Sequence, residues 1–242
     1  MSGSRTLYAI GDVHGQLRQL QALHAQVLEH FRAEANGLGL LIHLGDLIDR
    51  GPESRGVIEA VRTLEKTAPA GLQVICLRGN HEEMLLQAVD QRPDPRPLGH
   101  WLRNGGEQCL ESYARVHGLR HDVLDCLEAE HIAWIRSLPL HHFEVDRNIV
   151  FVHAGIDPAQ WPEAEPEVLL WTRSPKFFEE RHWPKRKELE GLLVVHGHTP
   201  TPDFFPEQRQ RRLNLDTGAV YGGPLTCAIL APGRGVRFLA AR

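Results

Sequence analysis

Five short polar clusters combine cation-binding residue types with glycines that let a backbone turn. They are Gly11-Asp12-Val13-His14-Gly15, Gly45-Asp46-Leu47-Ile48-Asp49-Arg50-Gly51, Arg78-Gly79-Asn80-His81-Glu82, Val152-His153-Ala154-Gly155 and Val195-His196-Gly197-His198-Thr199. Taken singly, each has an ordinary structural explanation. Gly-Asp after an apolar run often forms only an Asx turn, and a lone buried His is more often a hydrogen-bonded structural residue than a ligand. Taken together they are harder to explain as turns, because so many carboxylates and imidazoles near a protein interior carry a desolvation cost unless a cation compensates it. Oxygen and imidazole donors without a thiolate suit two hard-to-borderline divalent ions. Manganese is the expected metal, and iron or zinc would accept the same donors.

The clusters sit at the ends of apolar runs. Thr6 to Ile10, Leu38 to Leu44, Leu72 to Leu77, Ile149 to Val152 and Leu192 to Val195 are short enough to be buried strands, and they read as a sheet covered on both faces. Leu17, Leu20, Leu23, Val27 and Phe31 recur at helical spacing between the first two runs, as do Val57, Ile58, Val61 and Leu64 between the second and third. Asp12 to Asp46 and Asp46 to Asn80 are each 34 residues, one strand-helix-strand unit apiece. Right-handed crossovers make such strands parallel, which gathers the polar clusters on one carboxyl-terminal rim, where ligands bind in open α/β sheets. After Asn80 a helical stretch, broken by the Pro-rich Arg92 to Pro97 and interrupted at Gly105-Gly106, is expected to form a helical insertion or cap over about residues 80–138. Segments around Leu213 to Leu215, Leu225 to Leu230 and Val236 to Leu239 suit antiparallel strands. No repeat or linker divides the chain, so one domain over residues 1–242 is expected.

Composition narrows the function classes. With 42% hydrophobic and 24% charged residues the chain has an ordinary globular make-up. A net charge of -4 gives no electrostatic basis for a dedicated nucleic-acid or anionic-membrane binder. No apolar run reaches the roughly 18–20 residues of a membrane span, and the N-terminus lacks the apolar core of a signal peptide, so a cytoplasmic location is expected. Cys76, Cys109, Cys126 and Cys227 are scattered without a C-x-x-C pair and read as reduced, buried small hydrophobes.

The order GDxHG, GDxxDRG, GNHE, strand-His-Ala-Gly and GHT resembles the PPP-type phosphoprotein phosphatases among the calcineurin-like metallophosphoesterases. The likeness runs from about Leu7 to Leu230 and is nearest to the compact bacterial and phage branch, through Trp101 to Gly106, Leu170 to Arg173 and Leu215 to Val220. It implies a four-layer α/β/β/α sandwich. It also implies that Asp12 and His14 bind a first metal, that Asn80, His153 and His198 bind a second, and that Asp46 bridges them. Hydroxide generated between the metals would then attack phosphorus in line. His81 would act as general acid with Asp49 fixing its tautomer, and Arg50 and Arg173 would grip the free phosphate oxygens.

His196 and His198 lie two apart, so a straight strand would turn both to one face, and periodicity alone does not choose between them. The resemblance favours His198. Arg181, Lys185, Arg186 and Lys187 with Trp183 suit a solvated loop at least as well as a phosphate guide; Trp101 and Gly105-Gly106 read by default as a core tryptophan and a helix-ending turn, with lining of the cleft the alternative, and the resemblance implies that Tyr221 stands near the site. The resulting expectation is an enzyme hydrolysing phosphoserine and phosphothreonine on proteins. Hydrolysis of a symmetrical dinucleoside tetraphosphate is the enzymatic alternative; Asp49 and Glu82, where such enzymes often carry Ala and Asp, tilt against it. A non-catalytic metal-binding scaffold is the alternative of another class.

Overall fold

The structure, a computed structural model, describes residues 5–118 and 120–242. Residues 1–4 of the N-terminal segment and Leu119 of the helical stretch lie outside the described residues. The chain begins as strand-helix-strand-helix-strand: β1 (Thr6–Ile10), α1 (Leu17–Glu34), β2 (Gly39–His43), α2 (Ser54–Thr67) and β3 (Leu72–Cys76). Helices α3 (Asn80–Asp90), α4 (Pro95–Trp101), α5 (Glu107–His117) and α6 (Ala129–Ser137) follow. Next come β4 (His141–Glu144), β5 (Ile149–Val152), α7 (Pro166–Trp171), α8 (Pro175–Phe178), β6 (Leu193–His196), β7 (Glu207–Gln208), β8 (Arg212–Asn214), β9 (Leu225–Leu230) and β10 (Arg237–Ala241).

The strands form two sheets where the apolar runs suggested one. The first has the order β10-β9-β1-β2-β3 and the second β4-β5-β6-β8-β7. Alternation along each strand explains the layering. Leu7 and Ala9 of β1 join Ile149 and Phe151 of β5, Val195 of β6 and Leu213 of β8 in an apolar layer between the sheets. Tyr8 and Ile10 face outward and pack with α1, α2 and residues of α3–α6. Val150, Val152 and Val194 face outward on the other side, against Leu169 of α7 and Phe177 of α8. Helices, sheet, sheet and helices therefore stack as four layers. Because both faces of these strands are covered, their sequences are continuously apolar and carry no signal separating one sheet from two.

The tail needs a correction. β9 and β10 are antiparallel, as expected, but β8 pairs parallel with β6, Val194 opposite Arg212 and His196 opposite Asn214. The long Gly197–Arg211 connection supplies the crossover that a parallel pair requires. The helical stretch also has an unexpected break, since α5 ends at His117, ahead of Gly118 with its left-handed φ of 74°, and α6 starts only at Ala129. Trp101, Cys109, Tyr113, Leu124 and Ile135 of this stretch are buried in the same core as α1 and α2.

Candidate metal centre

β1, β2 and β3 run parallel, as do β5, β6 and β8, so each sheet delivers its polar loops from carboxyl-terminal strand ends. The loops bond to one another across the rim. Val13 N and His14 N donate to Asp46 O at 3.0 and 2.8 Å, and Gly197 N donates to His153 O at 2.8 Å. The two sheets meet where His153 Nδ1 bonds Leu44 O at 2.9 Å and where His198 N donates to both Asp12 carboxylate oxygens at 3.1 Å.

Two ligand groups share one carboxylate. His14, Asp46 and His81 offer atoms within 4.8 Å of one another, and so do Asp46, His153 and His198. Asn80 Oδ1 lies 2.9 Å from both His153 Nε2 and His198 Nδ1. Asp12 is in neither group but is buried beside them, holding the His198 backbone. The tautomers suit ligation. His14 Nδ1 donates to Ile48 O at 2.8 Å, while its Nε2 accepts from Arg50 Nη1 at 2.8 Å and lies 3.4 Å from Asp46 Oδ2. His153, anchored the same way on Leu44 O, turns its Nε2 toward oxygens of Asn80 and Asp46, the latter at 3.4 Å. Backbone carbonyls thus fix both rings so that lone pairs converge with carboxylate and amide oxygens, which is how ligands surround a cation.

The electrostatics agree with this. Burial pulls His14 down to about 3, His153 to about 4 and His198 to about 2, which keeps their rings neutral and able to ligate. Burial pushes Asp46 up to about 7, and burial followed by the charges of Asp216 and Asp46 raises Asp12 well above the usual carboxylate range. A bound divalent cation would relieve that conflict.

His81 and Asp49 form a close pair, Nδ1 to Oδ2 at 2.7 Å, and His81 Nε2 lies 3.9 Å from Asp46 Oδ2. Burial raises the Asp49 carboxyl, opposed first by a hydrogen bond from Trp101, and burial lowers the His81 imidazole. Arg50 and Arg173 both act on Asp46 with favourable charge, and Arg173 donates to His198 O at 3.2 Å. Tyr221 is 53% exposed, with the Arg50 guanidinium 6.0 Å from its ring centroid.

His196 lies elsewhere. It keeps the outward parity of Val194, and its ring packs against Phe177 and Phe178 at centroid distances of 5.1 and 5.7 Å. Gly197 makes the divergence possible, since a Cβ there would stand 2.0 Å from Asp12 Oδ1, and His198 then takes a left-handed φ of 68°. The basic run is a solvated loop. Arg181 pairs with Glu179 at 2.5 Å, while Trp183 is buried and donates to Phe177 O. Trp101 is fully buried, the default core tryptophan and not a cleft wall.

Two carboxylates at the centre escaped sequence reasoning as site residues. Glu82 accepts from the backbone N–H groups of Asp46, Leu47, Ile48 and Gly79 at 2.9, 2.8, 3.3 and 2.8 Å, joining the β2 and β3 loops. Its signal was an acidic residue at the third position of a helix. Asp216, after β8, is raised to about 7 by burial and then Asp46, and its Leu215-Asp216-Thr217-Gly218 turn, like the loops after β1 and β2, sets an Asp and a Gly directly after an apolar run, though in the reverse order.

The sequence profile of the calcineurin-like phosphoesterases matches residues 5–235. The chain belongs to that family. Membership implies a dinuclear divalent metal site, which the two groups sharing Asp46 fit. Among relatives of this phosphoesterase, a serine/threonine-protein phosphatase 1 of Salmonella typhimurium is 31% identical over 234 residues, covering 93% of this chain and 91% of that protein. A symmetrical bis(5'-nucleosyl)-tetraphosphatase of Pseudomonas syringae pv. syringae is 34% identical over 155 residues, covering 64% of this chain but 43% of that enzyme. A solved putative diadenosine tetraphosphatase superimposes with a TM-score of 0.64 at 19% identity, covering 100% of this chain and 96% of that one, a likeness of fold.

Proposed function

We propose that this phosphoesterase is a metal-dependent phosphoprotein phosphatase acting on phosphoserine and phosphothreonine. Asp12 and His14 would hold one divalent cation, Asn80, His153 and His198 the second, and Asp46 would bridge them. Such a pair of cations, when bound, activates water and neutralises charge on the phosphoryl group. Arg50 and Arg173 bracket the site and grip the free phosphate oxygens through planar donors. His81 delivers a proton from Nε2 to the departing serine or threonine oxygen, while Asp49 holds Nδ1–H and stabilises the charged ring.

The observation that carries this reading is the 2.7 Å Asp49–His81 pair, whose His81 lies with His14 and Asp46 in one ligand group, its Nε2 3.9 Å from the shared Asp46. An alkoxide is a poor leaving group and needs a proton donor, whereas a scaffold that only held metal would need none. Similarity to the Salmonella serine/threonine-protein phosphatase along nearly the whole of both chains also supports it. Hydrolysis of dinucleoside polyphosphates, suggested by the Pseudomonas relative, would use the same centre.

The test compares kcat/KM for a phosphoserine peptide and diadenosine tetraphosphate, each with added manganese and after chelation. The expected result is a higher value for the peptide and loss of both activities on chelation. The reverse substrate order overturns the protein-phosphatase reading, and turnover in chelated, metal-free protein overturns the metal dependence.

A further inference from the structure

Asp49 and Arg50 occupy consecutive left-handed conformations, φ 72° and 64°, which side chains other than glycine seldom adopt. The segment Trp101–Gly106 holds this loop in place. Gly105 O accepts from Arg50 N at 3.0 Å, and Gly105, itself at φ 104°, approaches so closely that a Cβ there would stand 2.7 Å from Arg50 Cγ. One turn earlier, Trp101 is completely buried and its Nε1 donates to Asp49 Oδ2 at 2.8 Å. The same oxygen receives His81 Nδ1 at 2.7 Å. Gly106 keeps the indole seated, because a Cβ on it would meet the ring at 2.6 Å.

We infer that Trp101 is a positioning residue for proton donation: its indole N–H fixes the Asp49 oxygen that aims His81. Asp49 Oδ1 is buried without a hydrogen-bond partner, so Trp101 and His81 are the side chains that determine where this carboxylate points. Without the indole donor the carboxylate can rotate away from the ring, and His81 loses its orientation. The phosphate grip is held separately, since Arg50 N is bonded to Gly105 O rather than to the indole. The inference rests on the proposed role of His81. In that step a water releases one proton to solvent and its oxygen bonds to phosphorus, the bond from phosphorus to the leaving oxygen breaks with its electron pair going to that oxygen, the oxygen takes the proton from His81 Nε2, and the ring regains a proton from solvent.

The test replaces Trp101 site-specifically with β-(3-benzothienyl)alanine, which keeps the ring shape and deletes only the N–H. Trp101→Phe serves as an encoded second variant. For a phosphoserine peptide, kcat should fall about 10- to 100-fold with KM unchanged, and for p-nitrophenyl phosphate by less than about 3-fold, because nitrophenolate leaves without protonation. Equal losses on both substrates, or a rise in KM, overturn the inference by making Trp101 a packing or phosphate-site residue. His81→Asn is measured in parallel. If that variant discriminates between the substrates and the isostere behaves as wild type, the Trp101 inference alone falls. If His81→Asn loses both activities equally, the proton-donor reading falls and the inference with it.

Discussion

Glu82→Gln isolates the charge and acceptor capacity of one buried side chain with almost no change in shape. The two carboxylate oxygens receive four backbone N–H groups, Asp46 and Gly79 on Oε2, and Leu47 and Ile48 on Oε1. Four donors leave no acceptor for a carboxyl proton, so the ionised form matches the geometry even though burial, and then Asp46, push this group up to about 7. In the amide one oxygen becomes an NH2 facing two N–H groups. Each abandoned donor costs about 1–3 kcal/mol, partly offset because a neutral side chain is cheaper to bury. The net loss should be about 2–4 kcal/mol, or about 4–16 °C in Tm for a chain of this size. It should be measured by urea unfolding and thermal melting of metal-depleted protein, so that ligand loss does not enter. Activity with manganese restored should also fall, because Asp46, the carboxylate shared by both ligand groups, is one of the residues whose backbone Glu82 holds. A loss below about 0.5 kcal/mol, the size of an ordinary surface substitution, with full activity would show that the loops do not depend on Glu82.

The two neighbouring histidines should separate in a metal count by elemental analysis. His198→Ala should lose one of two bound ions and nearly all turnover, while His196→Ala, altering a ring packed on Phe177 and Phe178, should keep both ions and measurable activity; exchanged outcomes would refute the assignment. A third prediction concerns the buried pair His24 on α1 and His43 on β2, whose Nε2 atoms lie 2.8 Å apart. Burial lowers His24 to about 4 and His43 well below its usual value, so the fold holds both rings neutral while the unfolded chain takes up protons below about pH 6.5. Their contribution to stability is complete above that pH and is lost as pH falls toward 4, at up to about 1.4 kcal/mol per pH unit for each ring. The double variant His24→Leu, His43→Leu should therefore show a shallower decline in urea-derived stability over this range, and an unchanged slope would refute the argument.

Sequence alone located the rim of the centre because each ligand-bearing loop follows an apolar run and carries its glycines with it. Asp12, His14, Asp46, Asn80 and His153 stood out in this way as candidates, whereas His198 was separated from its neighbour His196 only by the family resemblance. The second sheet was not legible from periodicity, since a strand buried on both faces has the same apolar pattern in either arrangement. β4, His-His-Phe-Glu, and the two-residue β7 lack an apolar run altogether, as suits strands at the sheet edges. Glu82 escaped because its partners Asp46 to Ile48 lie more than 30 residues away in the chain. A carboxylate that serves distant backbone leaves no local signature beyond its helix position.

The backbone strain shows what those distant contacts achieve. Among the described residues, eight other than glycine have positive φ, and five of these, His14, Asp46, Asp49, Arg50 and His198, carry the centre's side chains. Each such conformation costs of order 1–3 kcal/mol and persists only where its surroundings impose it. The imposing contacts are identifiable: Asp46 O receives Val13 and His14, Glu82 receives Asp46, Ser54 Oγ receives Asp49, Gly105 O receives Arg50, and Asp12 receives His198. A strand that simply ran on would send successive side chains to opposite faces of its sheet. Left-handed residues at the strand ends break that alternation and turn side chains from both sheets toward Asp46. The gathering of the candidate ligands and the strain are therefore one feature of the fold, and a substitution that relaxed any of these turns would be expected to stabilise the loop while dispersing the cluster.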